Sequence, residues 1–158
     1  TRGFGGRAVL YGVPQRPEIL PAAKVDQAEF FVIAMDDPEI NIKTAELVRN
    51  LYPHMKIIAR ARNRQHVHRL VDLDASPIRE TFYSSLEMSR RTLVGLGLSQ
   101  AQADARITRF KNHDLQVLAA QHAVYDDAAK VMQTAQEARA ELARLFEMDR
   151  LEEESDKV

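Results

Sequence analysis

Short apolar runs punctuate the first half of the chain at residues 8–11, at residues 29–35 (EFFVIAM) and at Lys56–Ala61 (KIIARA). The first ends at Gly12, the second at the acidic pair Asp36-Asp37, and the third runs into Arg62 and Arg64. Such runs predict strands. Their near-continuous hydrophobicity suits strands covered on both faces, as in a parallel sheet, better than an alternating, half-wet antiparallel one. Between them the period changes to that of a helix. Pro38–Leu51 places Ile40, Ala45, Leu47, Val48 and Leu51 on one side, with Asp37 at the N-cap, Pro38 at the first helical position and Pro53 beyond the end. Shorter helices are predicted over residues 17–23 and 64–73, and an extended segment over residues 77–81. Strand and helix in alternation predict crossover units of an α/β sheet.

Beyond that point the pattern is helical throughout. Residues 83–96 are amphipathic and stop at Gly97, and Ser99 is placed to cap a helix that begins at Gln100. Ala128, Val131, Ala135, Ala138, Leu142 and Leu145 then recur at alternating steps of three and four. This heptad-like stripe is a packing face, for a partner helix or for the body of the domain. Residues 152–158 are polar and are expected to fray. The division expected from these patterns is an α/β part over residues 1–98 and a helical extension over residues 99–158.

Charge separates the same two parts. Residues 1–98 carry 14 Lys+Arg against 11 Asp+Glu, and residues 99–158 carry 8 against 12, so that +3 and −4 give the net −1. A balance this close to zero, with 6% aromatics, argues against nucleic acid as a partner, because neither a basic face nor a stacking platform is available. No cysteine is present, which excludes a disulfide framework and a thiol nucleophile. No apolar run approaches the ~18 residues of a membrane-spanning helix.

Ligands of open parallel sheets bind beyond the carboxyl ends of the strands. The residues there are Asp36 and Asp37, then Arg60, Arg62 and Arg64, then Arg79. Arginine suits bidentate capture of carboxylate or phosphate, and an aspartate after a strand can accept from ribose hydroxyls. A solvated rim of arginine and aspartate pairs is the plain alternative. Catalysis has no comparable signal. His66 and His68 stand about 200° apart on a helix and so do not share a face as metal ligands would; solvated or capping roles are expected for them. No G-x-S-x-G elbow is present. Gly3, Gly5 and Gly6 have no strand before them and are not a phosphate loop.

The segments RAVLYG, FFVIAMDDPE, LYPHMKIIARAR and RETFYSSLEMSRRTLVGLGL, taken together, resemble the C-terminal KTN (RCK-type) domain of the bacterial Kef glutathione-gated potassium efflux systems, nearer the B-type member. The resemblance covers nearly the whole chain, and its most specific parts are Pro53-His54 ahead of residues 57–62, residues 79–82, and Leu96-Gly97-Leu98. It implies a Rossmann-like parallel sheet whose first β-α-β segment, with its glycine-rich turn, precedes Thr1, followed by the helical extension. It also implies a homodimer beneath a membrane antiporter domain at the cytoplasmic face of the bacterial inner membrane. A nucleotide, AMP or NAD(H), would bind near Gly12, Asp36, Asp37 and Arg62, although Val13 stands where the family has an aspartate. Glutathione or its adducts would meet Arg79, Asp114 and Phe4, the last as the displaced aromatic, and an ancillary oxidoreductase-like activator would dock. Alternative readings are a piece of a nicotinamide-dependent oxidoreductase and a nucleotide-sensing KTN subunit of a potassium uptake system.

Overall fold

The structure, a computed structural model, describes residues 18–155 apart from Ala23. The predicted strand at residues 8–11, together with Phe4 and Gly12, lies outside the described residues. Two compact units part between Glu80 and Thr81, ahead of the 98/99 junction expected from composition.

The first unit holds α1 (Ile19–Ala22), a 3-10 turn (Val25–Gln27), β1 (Phe30–Ile33), α2 (Pro38–Leu51), β2 (Lys56–Ala61), α3 (Arg64–Asp72) and β3 (Ala75–Arg79). The three strands form one parallel sheet in the order β1-β2-β3, with Ile33 opposite Ala59 and Ala61 opposite Arg79. Two successive crossovers in the same direction place α2 and α3 on the same face. Toward the helices the sheet presents Ile33, Ile57, Ala59, Ala61 and Ala75, all buried, against Ile42, Ala45 and Val48 of α2 and Val67 and Leu70 of α3. The small residues at 59, 61 and 75 let the helices approach closely.

The start of α2 is built as its sequence predicts. Asp37 Oδ1 accepts from Glu39 N at 2.8 Å and from Ile40 N at 3.0 Å, so it satisfies two of the donors that a helix leaves open at its first turn. Asp37→Ala is expected to lower stability by about 1 kcal/mol, read as a lower urea midpoint; an unchanged midpoint would show that the cap is dispensable.

Two features of this unit differ from the sequence reading. Among the described residues of the unit no helix lies on the other face of the sheet, where Val32 is 65% and Ile78 49% exposed beside Phe30. Continuous hydrophobicity marked these residues as apolar, but it does not say what covers them. The third strand also begins at Ala75, two residues early. Arg49 of α2 donates to Leu73 O at 3.0 Å and to Asp74 O at 2.7 Å, pinning a turn in which Asp74 takes a left-handed φ of 53°. That turn aims Ala75 into the ladder beside Ile57. Pro77 is tolerated because β3 is an edge strand.

The second unit consists of α4 (Phe82–Gly95), α5 (Gln100–His122) and α6 (Ala128–Ser155). Gly97, at φ 102°, closes α4 in a Schellman turn, with Gly97 N donating to Val94 O and Leu98 N to Leu93 O. Ser99 and Gln102 form a reciprocal capping box at the head of α5. Helix α6 packs on α5, and Val131, Ala138, Leu142 and Leu145 of the predicted stripe are half-buried. One heptad step further the stripe meets Asp149, which is buried and paired with Arg109 of α5. Gln121 donates to Thr134 at 3.3 Å and His113 lies 3.3 Å from Glu141, so polar pairs set the register of this hairpin. The helix continues to Ser155, past the point where fraying was expected. No described helix is long and apolar enough to cross a membrane.

Candidate functional site

The carboxyl ends of β1, β2 and β3 bring together residues 34–37, 60–63 and 79–80. Arg60 ties them. Its Nη1 donates to Asp36 Oδ1 at 2.7 Å and to Ala34 O at 3.4 Å, while Nη2 pairs with Glu80 beyond β3. One guanidinium thus spans all three strand ends. The Arg60 hydrogen bond holds the Glu80 carboxyl below the ordinary carboxylate range, with the charge of Arg62 adding to it, and Glu80 and Asp36 raise the Arg60 guanidinium in return. Glu80 was not singled out in the sequence, because the strand that brings it to Arg60 is recognisable only once β3 pairs with β2.

The pleat divides the arginines of this rim. Arg60 follows Ile58 on the open face, whereas Arg79 stands opposite Ala61 in the row that faces α2 and α3. The rim is shared, but the two guanidinium groups start from opposite sides of the sheet. Asp36 keeps its carboxylate 94% exposed despite the Arg60 pair, and Arg62 is exposed as well. Asp37 commits one oxygen to the helix cap. Arg79 is half-buried and engaged in interactions within the chain. Asp114 belongs to the second unit, where it is buried and likewise engaged.

Buried polar side chains support the rim from beneath. Asn41 of α2 donates through Nδ2 to Met35 O at 2.9 Å and to Arg60 O at 3.1 Å. His66 of α3 accepts at Nδ1 from Arg62 N at 3.1 Å. Of the solvated or capping roles expected for the histidines, solvation does not hold, since His66 and His68 are both buried although they point about 200° apart, whereas His66 takes up a backbone N–H just ahead of its own helix; α3 is embraced by the sheet and by α2, which leaves it two inward sides. Asn41 was missed as well. A single polar residue inside an apolar helix face carries no mark of its partners until the strands are placed.

Two clefts open away from this rim. One of about 530 Å³ lies at the amino ends of the strands, among Arg49, Lys56, Phe30 and Asp74, and one of about 650 Å³ lies in the helical unit beside Leu86, Phe110 and Phe146. At the rim, the exposed Asp36 carboxylate and the Arg62 guanidinium offer chemistry that matches ribose hydroxyls and phosphate. The donor set therefore fits a nucleotide.

Comparison with known proteins accords with this architecture. The family described as the TrkA-N domain matches residues 3–79, and the family described as the potassium efflux system KefB C-terminal domain matches residues 84–158. Their boundary brackets the division between the two units. A solved structure, the Kef C-terminal domain of Shewanella denitrificans in its AMP-bound form, is 34% identical to this chain, with a TM-score of 0.70, over 73% of this chain and 73% of that one. A parallel α/β sheet with these two matches in succession, and a relative this similar over most of both chains, show that the protein belongs to the Kef family, as a KTN-type C-terminal regulatory domain of a potassium efflux system.

Proposed function

We propose that this domain senses ligands for an attached membrane antiporter and performs no chemistry of its own. It binds a nucleotide, AMP or NAD(H), along the carboxyl rim of the sheet, and glutathione or its adducts set the transport state. The observation that carries the reading is the AMP-bound state of a relative 34% identical to this chain, together with a rim that keeps the Asp36 carboxylate and the Arg62 guanidinium exposed. Asp36 accepts from ribose hydroxyls, Arg62 meets phosphate, and Gly12 and Asp37 complete the proposed set of nucleotide-binding residues. Glutathione offers two carboxylates and an ammonium, which call for a guanidinium and a carboxylate; Arg79 and Asp114 supply them, with Phe4 as the aromatic that a bulky adduct displaces.

The domain works as a homodimer on the cytoplasmic side of the bacterial inner membrane, where an ancillary oxidoreductase-like activator also docks. A ligand biases the antiporter only by its difference in affinity between the two arrangements of the dimer.

Titration calorimetry tests the reading with AMP, NADH, glutathione and a bulky S-conjugate of glutathione. Saturable binding of AMP and of glutathione is expected. Arg79→Ala should weaken glutathione binding by roughly tenfold, the loss of a charge-assisted pair. No binding of either ligand would end the proposal, and binding of AMP alone would leave a nucleotide sensor without glutathione control.

A further inference from the structure

Each residue from Arg60 to Arg62 has a backbone group held by a dedicated partner. Arg60 O accepts from Asn41 Nδ2, Ala61 O accepts from Glu80 N at 2.9 Å, and Arg62 N donates to His66 Nδ1 at 3.1 Å. The third of these can be broken by a proton. His66 is 4% exposed, in the first turn of α3, with its own N–H bonded to the capping Asn63 Oδ1 at 2.8 Å. Because Nδ1 accepts, the ring proton belongs on Nε2, and Nε2 is enclosed without a hydrogen-bond partner among the described residues. An imidazolium has N–H on both nitrogens and no acceptor. Protonation would therefore set two N–H groups against each other at the Arg62 contact.

We propose that neutral His66 is a positioning residue for the Arg62 edge of the rim, and that acid releases this edge and weakens its grip on an anionic nucleotide. The functional half of this inference rests on the nucleotide reading given above.

The surroundings of the ring set the direction. Burial lowers its pKa from the ordinary value of 6.5, and Arg69 on the same helix lowers it further, while Glu39 at the start of α2 opposes them; Glu39 and Arg69 are themselves paired. Just past the end of β2, the Arg62 amide faces the ring. With the folded pKa depressed, the stability due to neutral His66 is fully present above pH 6.5 and is lost as the pH falls through the lowered value. The new positive charge would itself attract an anion. His66 is buried, so this attraction is only partly screened, and it opposes the roughly tenfold cost of misplacing a charge-assisted hydrogen bond; the proposal requires that displacement outweigh it, which calorimetry in acid reads.

Nitrogen-15 NMR on the full chain, titrated from about pH 8 to about pH 5 where histidine changes charge, tests the latch directly. The Arg62 amide resonance is expected to move with the same midpoint as the His66 ring nitrogens. An Arg62 amide that stays still while His66 titrates would overturn the proposal, as would a His66 that remains neutral throughout. Calorimetry with AMP at both ends of the interval tests the consequence, in the native protein and in His66→Gln, whose amide oxygen keeps an acceptor for Arg62 but does not titrate. The native protein should lose at least about threefold more affinity in acid than the variant; the phosphate of AMP, ionising near pH 6, affects both equally. Equal losses in the two proteins would overturn the proposal. Absence of AMP binding at every pH would defeat the nucleotide reading, and the Arg62 amide would still decide the latch. Should His66→Gln not fold, the native titration decides it alone.

Discussion

Leu70→Ala is expected to destabilise the first unit by about 2–5 kcal/mol, more than any cap or surface change in it. Leu70 is fully buried in α3, where that helix packs on β2, β3 and α2. The loss has two parts, the transfer free energy of the removed carbons and the cavity they leave, and the site is poorly able to collapse. The sheet beneath α3 presents the buried Ala59, Ala61 and Ala75 on its helix side, and these have almost no side chain to swing inward. Against a typical total stability of ~5–15 kcal/mol, a loss of this size is a large fraction. Urea unfolding should show the midpoint fall by about 1–2.5 M, for a dependence of about 2 kcal/mol per molar. A midpoint within error of the native value would mean that Leu70 contributes nothing to the core.

Asn41→Leu should cost about 2–4 kcal/mol although the side chain keeps its size and gains hydrophobicity. Burying a leucine in place of an amide favours the variant, and it also removes Asn41 Oδ1, an acceptor buried without a partner among the described residues. Two carbonyls lose more. Met35 O and Arg60 O each depend on Asn41 Nδ2, and an acceptor left unsatisfied inside costs about 1–3 kcal/mol. The variant should also bind AMP more weakly than its stability loss explains, because Arg60 O is the point at which α2 holds the rim. Thermal unfolding and calorimetry on the same sample check both parts. A more stable variant would show that burying the apolar side chain outweighs the hydrogen bonds.

Local signals were legible where a residue acts on its own neighbours along the chain. The Asp37 cap of Pro38–Leu51 and the Ser99 box follow from side chains that reach backbone N–H groups two or three residues away, the Gly97 stop from backbone bonds spanning three and five residues, and β2 from its own apolar run. The start of β3 was not legible in this way, because Asp74 and Ala75 are placed by Arg49 from another helix. Nor was the burial of His66 and His68, since periodicity assumes one inward side and α3 has two. On the candidate site, the exposed Asp36 and Arg62 stand where the order of strands and charges put them. The Arg60 bridge to Glu80 and the supports from Asn41 and His66 depend on residues between four and about twenty positions apart.

By itself the order of apolar runs, caps and charged strand ends determined the alternating α/β architecture and the family resemblance, because hydrophobic period and capping act over one or two turns of chain. The parallel pairing decided which arginine faces the open side, which carboxylate it meets and which buried histidine holds the rim. Those choices depend on register across the sheet, where a shift of a single residue sends every side chain to the opposite face.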